Sequence, residues 1–442
     1  MYKKFVPFVF ISFLIALFFY NPPASEGSYE KHPEKRYPGQ KDVMVINVDG
    51  IINPVASEYI GNAIRKASEI NAEALVIKLD TPGGLDASMR SIVRDIIGSK
   101  VPVIVFVSPG GARAASAGVF IVMAAHIAAM SPGTNIGAAH PVAVGEKMDK
   151  VMAEKATNDA AAYIRAIAKQ RGRNGEWAEA AVRKSVSITE TEALKKNVID
   201  LVAKNLTSLL SEVDGREIKT AAGDRTLKTA NAGIIENEMS LRHKVLDFIS
   251  NPNVAYILML LGFYGLFFEL TNPGAIFPGV IGGICLILGF YAFQTLPVNY
   301  AGLLLIILGI ILFILEVKII SHGLLTLGGI VSLILGSLML FESSSPFFKL
   351  SLSVIILSAV ITALFFLFTF RLAYRAQRRK PVTGIEGLIG SEAVAKADIT
   401  QDGGMVFVHG EFWSAYSDDL IKKDEKVVIE SVTGLKVKVK RI

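Results

Sequence analysis

The sequence predicts a multidomain chain of three unlike parts: an α/β domain built on a parallel sheet, an α-helical transmembrane region, and a small all-β barrel. Three observations predict it. Short apolar runs alternate with helical patterns over residues 43–205, the rhythm of a parallel sheet with right-handed crossovers. About five long apolar stretches fill residues 254–370. The tail, 383–442, returns to short alternating runs parted by glycine turns, as compact barrels do.

Composition agrees. The chain has 442 residues and is 51% hydrophobic, with a mean hydropathy of +0.45, which soluble enzymes rarely reach. Its length exceeds one ordinary domain. The net charge of +6 is spread along the chain rather than gathered into a nucleic-acid-like patch. The single cysteine, Cys285, sits inside an apolar run, which removes disulfides and cysteine-based metal sites from consideration. Phosphate-loop, zinc-protease and dinucleotide fingerprints are missing from the sequence. No metal and no cofactor are expected.

Taken in order, residues 1–24 read as a signal peptide or N-terminal anchor. Lys3 and Lys4 precede an apolar core, Phe5–Tyr20, and small residues near Ala24 and Ser25 follow, the layout of an export signal. Residues 26–42 are a charged, proline-containing linker. In the α/β domain (43–205), Val43–Val48, Ala74–Leu79, Val101–Val107 and a short run near Ile127–Met130 read as strands. Pro54–Ile70, Asp86–Ser99, Ala114–Ala128, Lys155–Gln170 and Glu176–Val182 read as helices. Residues 206–250 are polar with weak periodicity and are expected to be a tether. Residues 251–372 form the transmembrane region, with spans at 254–270, 274–294, 301–317, 324–341 and 350–370, each near the ~20 residues that cross a bilayer. Glu269 and Glu316 fall at span ends, where interfacial solvation accounts for them.

Arg371, Arg375, Arg378, Arg379 and Lys380 follow the last span, which places that end in the cytoplasm. Five spans then put the α/β domain outside. In the tail, Met405–His409, Val427–Ser431 and Lys436–Lys440 read as strands of a five-stranded barrel. Trp413 reads as a core aromatic and the terminal lysines as a solvated edge strand, so no nucleic-acid binding is expected.

The most telling segment is Gly111-Ala-Arg-Ala-Ala-Ser-Ala-Gly118, which follows the apolar run 101–107. Ser116 falls on a strand-to-helix turn, where a hydroxyl is held out of the sheet beside free amides that can bind an oxyanion. A second turn, Asp80-Thr-Pro-Gly-Gly84, ends another strand, so two glycine-bearing strand ends can share one site. A serine needs a base to become a nucleophile. His126 lies ten residues on, about 15 Å along the same expected helix, and is excluded. His140, after the turn Thr134–Gly137, and Lys155, at the start of an alanine-rich helix, both remain candidates. A lysine serves as base only where desolvation or a positive neighbour lowers its pKa.

Several segments resemble the NfeD proteins, the stomatin-operon partner proteins, in their long membrane-bound form. They are Val48-Asp-Gly-Ile51, Leu79-Asp-Thr-Pro-Gly-Gly84, Ala114-Ala-Ser-Ala-Gly118, Met130-Ser-Pro-Gly-Thr-Asn-Ile-Gly137 and Lys155-Ala-Thr-Asn158. The resemblance covers nearly the whole chain and implies a ClpP/crotonase-like α/β domain, with chemistry similar to signal peptide peptidase A, and an OB-like C-terminal barrel. It implies Ser116 as nucleophile, Lys155 as base of a Ser–Lys dyad, and the amides of Gly83 or Gly84 and of Ala117 as the oxyanion hole. His140, where ClpP itself keeps a catalytic histidine, is the alternative base. The implied activity is a membrane-anchored serine endopeptidase cleaving membrane-associated polypeptides, notably the hydrophobic C-terminal region of a stomatin/SPFH partner. A homo-oligomer of at least two copies is expected. The competing reading is a non-catalytic membrane scaffold for such a partner. Acyl-CoA chemistry on the same fold is set aside, because export separates the domain from cytoplasmic coenzyme A.

Overall fold

The structure, a computed structural model, describes residues 41–142, 149–271, 274, 276–294, 296–319, 321, 323–341, 348–377 and 385–442. The expected targeting segment, most of the linker after it and the basic residues 378–380 lie outside the described residues. Two compact units divide the chain: residues 1–297 with 342–349, and residues 298–341 with 350–442.

In the first unit, strand β1 (Val43–Asp49) leads through helix α1 (Pro54–Glu69) to β2 (Ala74–Asp80), then through α2 (Asp86–Ile97) to β3 (Val103–Val107). Asn53 caps α1, its side chain accepting from the Ala56 amide, and Pro54 opens the helix, where the lost N–H costs nothing. After β3 come β4 (Arg113–Ala115), α3 (Ala117–Ala124), β5 (Ile127–Met130) and β6 (Asn135–Gly137). The helix expected over 114–128 is therefore only eight residues long. Its first expected turn pairs instead as β4 with β6, and Ser116, at φ 53°, breaks the backbone between strand and helix. Next follow α4 (Lys150–Gln170), α5 (Gly175–Arg183), β7 (Ser187–Thr189), α6 (Glu190–Lys195) and β8 (Leu201–Val202).

Residues 206–250 do not form the expected tether. They fold as α7 (Leu206–Val213), the hairpin β9 (Glu217–Thr220) and β10 (Gly223–Thr226), β11 (Ile234–Glu236) and α8 (Leu241–Ile249). The reason lies in strand geometry. Side chains alternate faces along a strand, so Met44, Ile46 and Val48 enter one core while Val43 and Val45 enter another. A parallel sheet buries both faces. The second face is covered by Leu209, Leu210, Val213, Leu227 and Ala232, and β11 pairs in parallel with β1 at the sheet edge. The main sheet runs β11-β1-β2-β3-β5-β8, and β4-β6-β7 form a small separate sheet, joined by a bridge from Ala114 to Thr81, the residue after β2.

Helices α9 (Pro252–Thr271) and α10 (Ile276–Phe293) complete this unit. On α10, Gly279, Gly282, Cys285, Gly289 and Ala292 are buried, whereas Ile276, Val280, Ile284 and Ile287 are exposed. Small residues inward with large apolar residues outward is the pattern of helices packed in lipid. A Cβ on Gly265 would lie 2.8 Å from the Gly282 Cα, so the two backbones touch.

The second unit holds α11 (Tyr300–Lys318), α12 (Leu324–Leu340) and α13 (Leu352–Gln377). Gly302 meets Gly336, and Gly309 meets Gly329, at similarly close backbone contacts. Glu316, at the end of α11, accepts from the Ser321 hydroxyl at 2.5 Å and from the Gly323 and Thr326 amides at 3.0 Å. It satisfies the orphan donors at the start of α12. After the short helix α14 (Ile385–Leu388), strands β12 (Glu392–Ala395), β13 (Gly404–Val408), β14 (Glu411–Tyr416), β15 (Lys426–Thr433) and β16 (Lys436–Arg441) close a barrel in the order β12-β13-β14-β16-β15. Trp413 packs against its core of Val406, Val408, Val427, Ile429, Val437 and Val439.

Candidate functional site

Two turns meet at the carboxyl ends of β2 and β4. Within Asp80–Leu85, the Gly83 amide donates to the Thr81 Oγ1 at 3.1 Å, and that hydroxyl donates to the Gly83 carbonyl at 3.1 Å. Gly83 has φ +127°, and a Cβ there would stand 2.7 Å from the Ser116 Cβ. Glycine is required on both counts, and the close approach places Gly83 against Ser116. On the other side, Ile52 pairs with the same loop: its amide donates to the Gly83 carbonyl and its carbonyl accepts from Leu85, both at 2.9 Å.

Ser116 is half-buried, with φ 53° and ψ −112° at the N-terminus of α3. Such a backbone costs roughly 1–3 kcal/mol and collects at functional sites. The Ser116 amide donates to the Gly137 carbonyl at 3.1 Å, which ties the turn to β6. Among the described residues, the Ser116 hydroxyl and the amides of Gly84 and Ala117 have no hydrogen-bond partner, whereas the Gly83 amide is engaged by Thr81. Gly84 and Ala117 thus present open donors from this loop and this helix start. Gly118 is also steric: a Cβ there would come within 2.7 Å of Thr81 Cγ2.

The candidate bases differ in placement. His140 is exposed, three residues beyond Gly137, and its Nδ1 donates to the Val182 carbonyl at 2.9 Å. Lys155 is exposed on α4. Neither is hydrogen-bonded to Ser116 among the described residues. The direction of α4 is fixed by its neighbours. Tyr163 stacks on Phe120 with centroids 6.1 Å apart, Arg90 on α2 ion-pairs with Asp159 at 2.5 Å and lies 4.5 Å over the Tyr163 ring, and Arg171 Nε donates to the Ala124 carbonyl at 2.8 Å. Early residues of α4 therefore accompany the early residues of α3. Lys155 lies eight residues before Tyr163, about 12 Å along the helix axis, and Ser116 four residues before Phe120, about 6 Å. Lys155 thus belongs to the Ser116 end of α3.

Sequence reasoning overlooked the other end of α3. Arg173 Nη1 donates to the carbonyls of Met123 and Ala125 at 2.8 Å, and Nη2 pairs with Asp200 at 2.6 Å. These arginines satisfy the orphan carbonyls of the helix that begins at Ser116. Nearby His126 is buried and accepts from the Val103 amide at 3.2 Å. Burial first, then Arg171 and Arg173, push its imidazole down to about 3, so it stays neutral. At the carboxyl end of β1, the Asp49 carboxyl is pushed up by burial and by the neighbouring Asp80. Among the described residues no group of three or more His, Cys, Asp and Glu is placed to hold a metal.

Three family descriptions match the chain: "NfeD1b, N-terminal domain" over residues 42–222, "NfeD integral membrane domain" over 253–372, and "NfeD-like C-terminal, partner-binding domain" over 385–441. The membrane-bound protease PH1510 of Pyrococcus horikoshii is 36% identical over 407 residues, 89% of this chain and 92% of the relative. The chain belongs to the NfeD family. The membrane protein NfeD1b of Bacillus subtilis is 28% identical over 422 residues, 91% of this chain and 93% of that one. A solved structure of a 1510-N membrane-bound stomatin-specific protease, a lysine-to-alanine mutant in complex with a substrate peptide, is 36% identical with a TM-score of 0.45. It covers 48% of this chain and 98% of its own. The NfeD chain described here is a membrane protein with an α/β domain on a parallel sheet, an apolar helical region and a closed five-stranded barrel.

Proposed function

We propose that this NfeD protein is a membrane-anchored serine endopeptidase in which Ser116 is the nucleophile and Lys155 its base. The observation that carries the reading is the meeting of two turns: a strained, half-buried serine at a helix start, against a glycine loop that leaves the Gly84 amide open beside that of Ala117. The unprotonated Lys155 amine takes the Ser116 proton as Oγ attacks the scissile carbonyl. The amides of Gly84 and Ala117, with Gly83 closing the loop, hold the oxyanion. The lysine ammonium then protonates the leaving amine, and water releases the acyl group by the same path in reverse.

Placement favours Lys155 over His140, because α4 starts at the Ser116 end of α3 and runs parallel to it, while the His140 Nδ1 is turned to Val182. Val151 and Met152 are exposed in the first turn of α4. An apolar substrate laid there strips water from the lysine, and the solved relative named as stomatin-specific makes a stomatin/SPFH protein the proposed partner. The exposure of Lys155, without a bond to Ser116, favours the scaffold as the second reading. The two bases make opposite predictions. Lys155→Ala is expected to lower peptide cleavage by about 100-fold or more, with His140→Ala keeping most activity. The reverse pattern transfers the role to His140, and activity in both variants supports neither.

Charge bias after the last span gives the proposed orientation, α/β domain outside and barrel in the cytoplasm. In a Cys285→Ser background, a cysteine at Lys219 is expected to react with an impermeant thiol reagent in intact cells. One at Asp402 should react only after lysis. Equal or inverted labelling would contradict this orientation.

A further inference from the structure

Helix α8, nine residues long, has two unlike faces. Leu241, Val245 and Phe248 share one stripe at helical spacing and are 79%, 46% and 64% exposed. The other side, which also buries Ile249, carries the polar groups that dock on α1. Asp247 Oδ1 accepts from Asn53 Nδ2 at 2.8 Å, and Arg242 pairs with Glu58 at 2.9 Å. The buried His243 sits with Nδ1 2.7 Å from the Ser240 hydroxyl and Nε2 3.7 Å from Glu58. Ser250 and Asn251 then lead directly into α9, the first helix of the integral membrane domain. An amphipathic helix joined to a membrane helix by two residues is held at the bilayer surface, where such a face sinks about 5–10 Å into the headgroup boundary. Continuity with the membrane helix thus identifies what covers the stripe.

The polar face leads inward. Asn53 is 8% exposed and uses its side chain twice, donating to Asp247 and capping α1 at the Ala56 amide. Its neighbour Ile52 is fully buried and grips the loop through the Gly83 carbonyl and the Leu85 amide. A Cβ on Gly84 would fall 2.2 Å from the Ile52 carbonyl oxygen, so the loop has no slack against Ile52. Gly83 in turn abuts Ser116. An unbroken series of contacts joins α8 to the serine turn.

We propose that α8 lies in the bilayer interface on its Leu241–Val245–Phe248 face and positions the Gly83–Leu85 loop through Asp247 and Asn53. The catalytic meaning of that loop rests on the endopeptidase reading; its position does not. Asp247 is a positioning residue, acting through Asn53 and Ile52.

The test uses the full chain in phosphatidylcholine nanodiscs. Tryptophan at Phe248→Trp should be quenched by brominated lipid beyond the background of Trp177 and Trp413. Asp247→Ala should speed amide exchange several-fold at residues 83–85 and lower kcat about tenfold, since a full ångström of displacement can cost on the order of 100-fold and a loosened loop is displaced by less. KM should stay within about twofold of wild type. Asp247→Asn, which keeps the acceptor oxygen, should restore both readouts. An unquenched probe overturns the interfacial seat. Unchanged exchange in Asp247→Ala, exchange raised equally across the whole α/β domain, an Asn variant as impaired as the Ala variant, or an unchanged kcat overturns the positioning role. If the wild-type chain cleaves nothing, the endopeptidase reading fails alone, and the exchange pattern still decides the inference.

Discussion

Ser116→Ala is expected to reduce peptide cleavage by about 10⁴-fold or more while leaving the fold intact. Removing the nucleophile of a serine hydrolase leaves only what binding and the oxyanion hole supply. The variant loses one oxygen that has no hydrogen-bond partner among the described residues. Alanine meets the same positive φ that serine already bears, so stability should stay within about 0.5 kcal/mol of wild type. Cleavage of a fluorogenic peptide by the purified chains, beside their thermal unfolding, checks both halves. Turnover within tenfold of wild type would remove Ser116 from the chemistry.

The largest stability effect is expected at Arg173. Arg173→Met keeps most of the apolar stem but withdraws donors from the carbonyls of Met123 and Ala125 and leaves Asp200 without its guanidinium. Breaking a buried pair from one side costs about 3–5 kcal/mol. The Asp200 side chain is 28% exposed and can rehydrate, which points to the lower figure. In a domain of this size about 3 kcal/mol corresponds to a Tm lower by roughly 6–12 °C, measurable on the detergent-solubilised chain. A shift under about 2 °C would show that water replaces the guanidinium at the end of α3 without penalty.

The α/β domain was legible because its strands are uninterrupted apolar runs, as sheets buried on both faces require. The same runs concealed the second core: where every residue of Val43–Val48 but Asn47 is apolar, the split between Met44 and Val45 leaves no mark. The cover for that second face, from Leu209 to Ala232, is sparse and aperiodic, so it read as a tether. Ser116 and Gly83 were visible because a strand end must change direction there, and few residues tolerate the turn. Thr81 and Arg173 were not, since one acts through its own loop and the other caps a helix about 50 residues away in sequence. Helix α4 was expected from Lys155, yet its alignment with α3, which puts Lys155 at the Ser116 end of α3, depends on the Phe120–Tyr163 stack and has no signature in the residue pattern. In the tail, alternation within Lys436–Lys440 revealed β16, whereas β14 was not among the expected strands because Phe412 and Trp413 stand side by side and break the alternation.

The central claim is that Ser116 is an activated nucleophile. It is tested most directly by treating the full-length chain with a serine-reactive fluorophosphonate and locating the adduct by peptide mass spectrometry. The account predicts stoichiometric modification of the peptide containing Ser116, lost in Ser116→Ala and strongly slowed in Lys155→Ala. A chain that resists the reagent under conditions where it cleaves peptide, or carries the adduct on another serine, would contradict it.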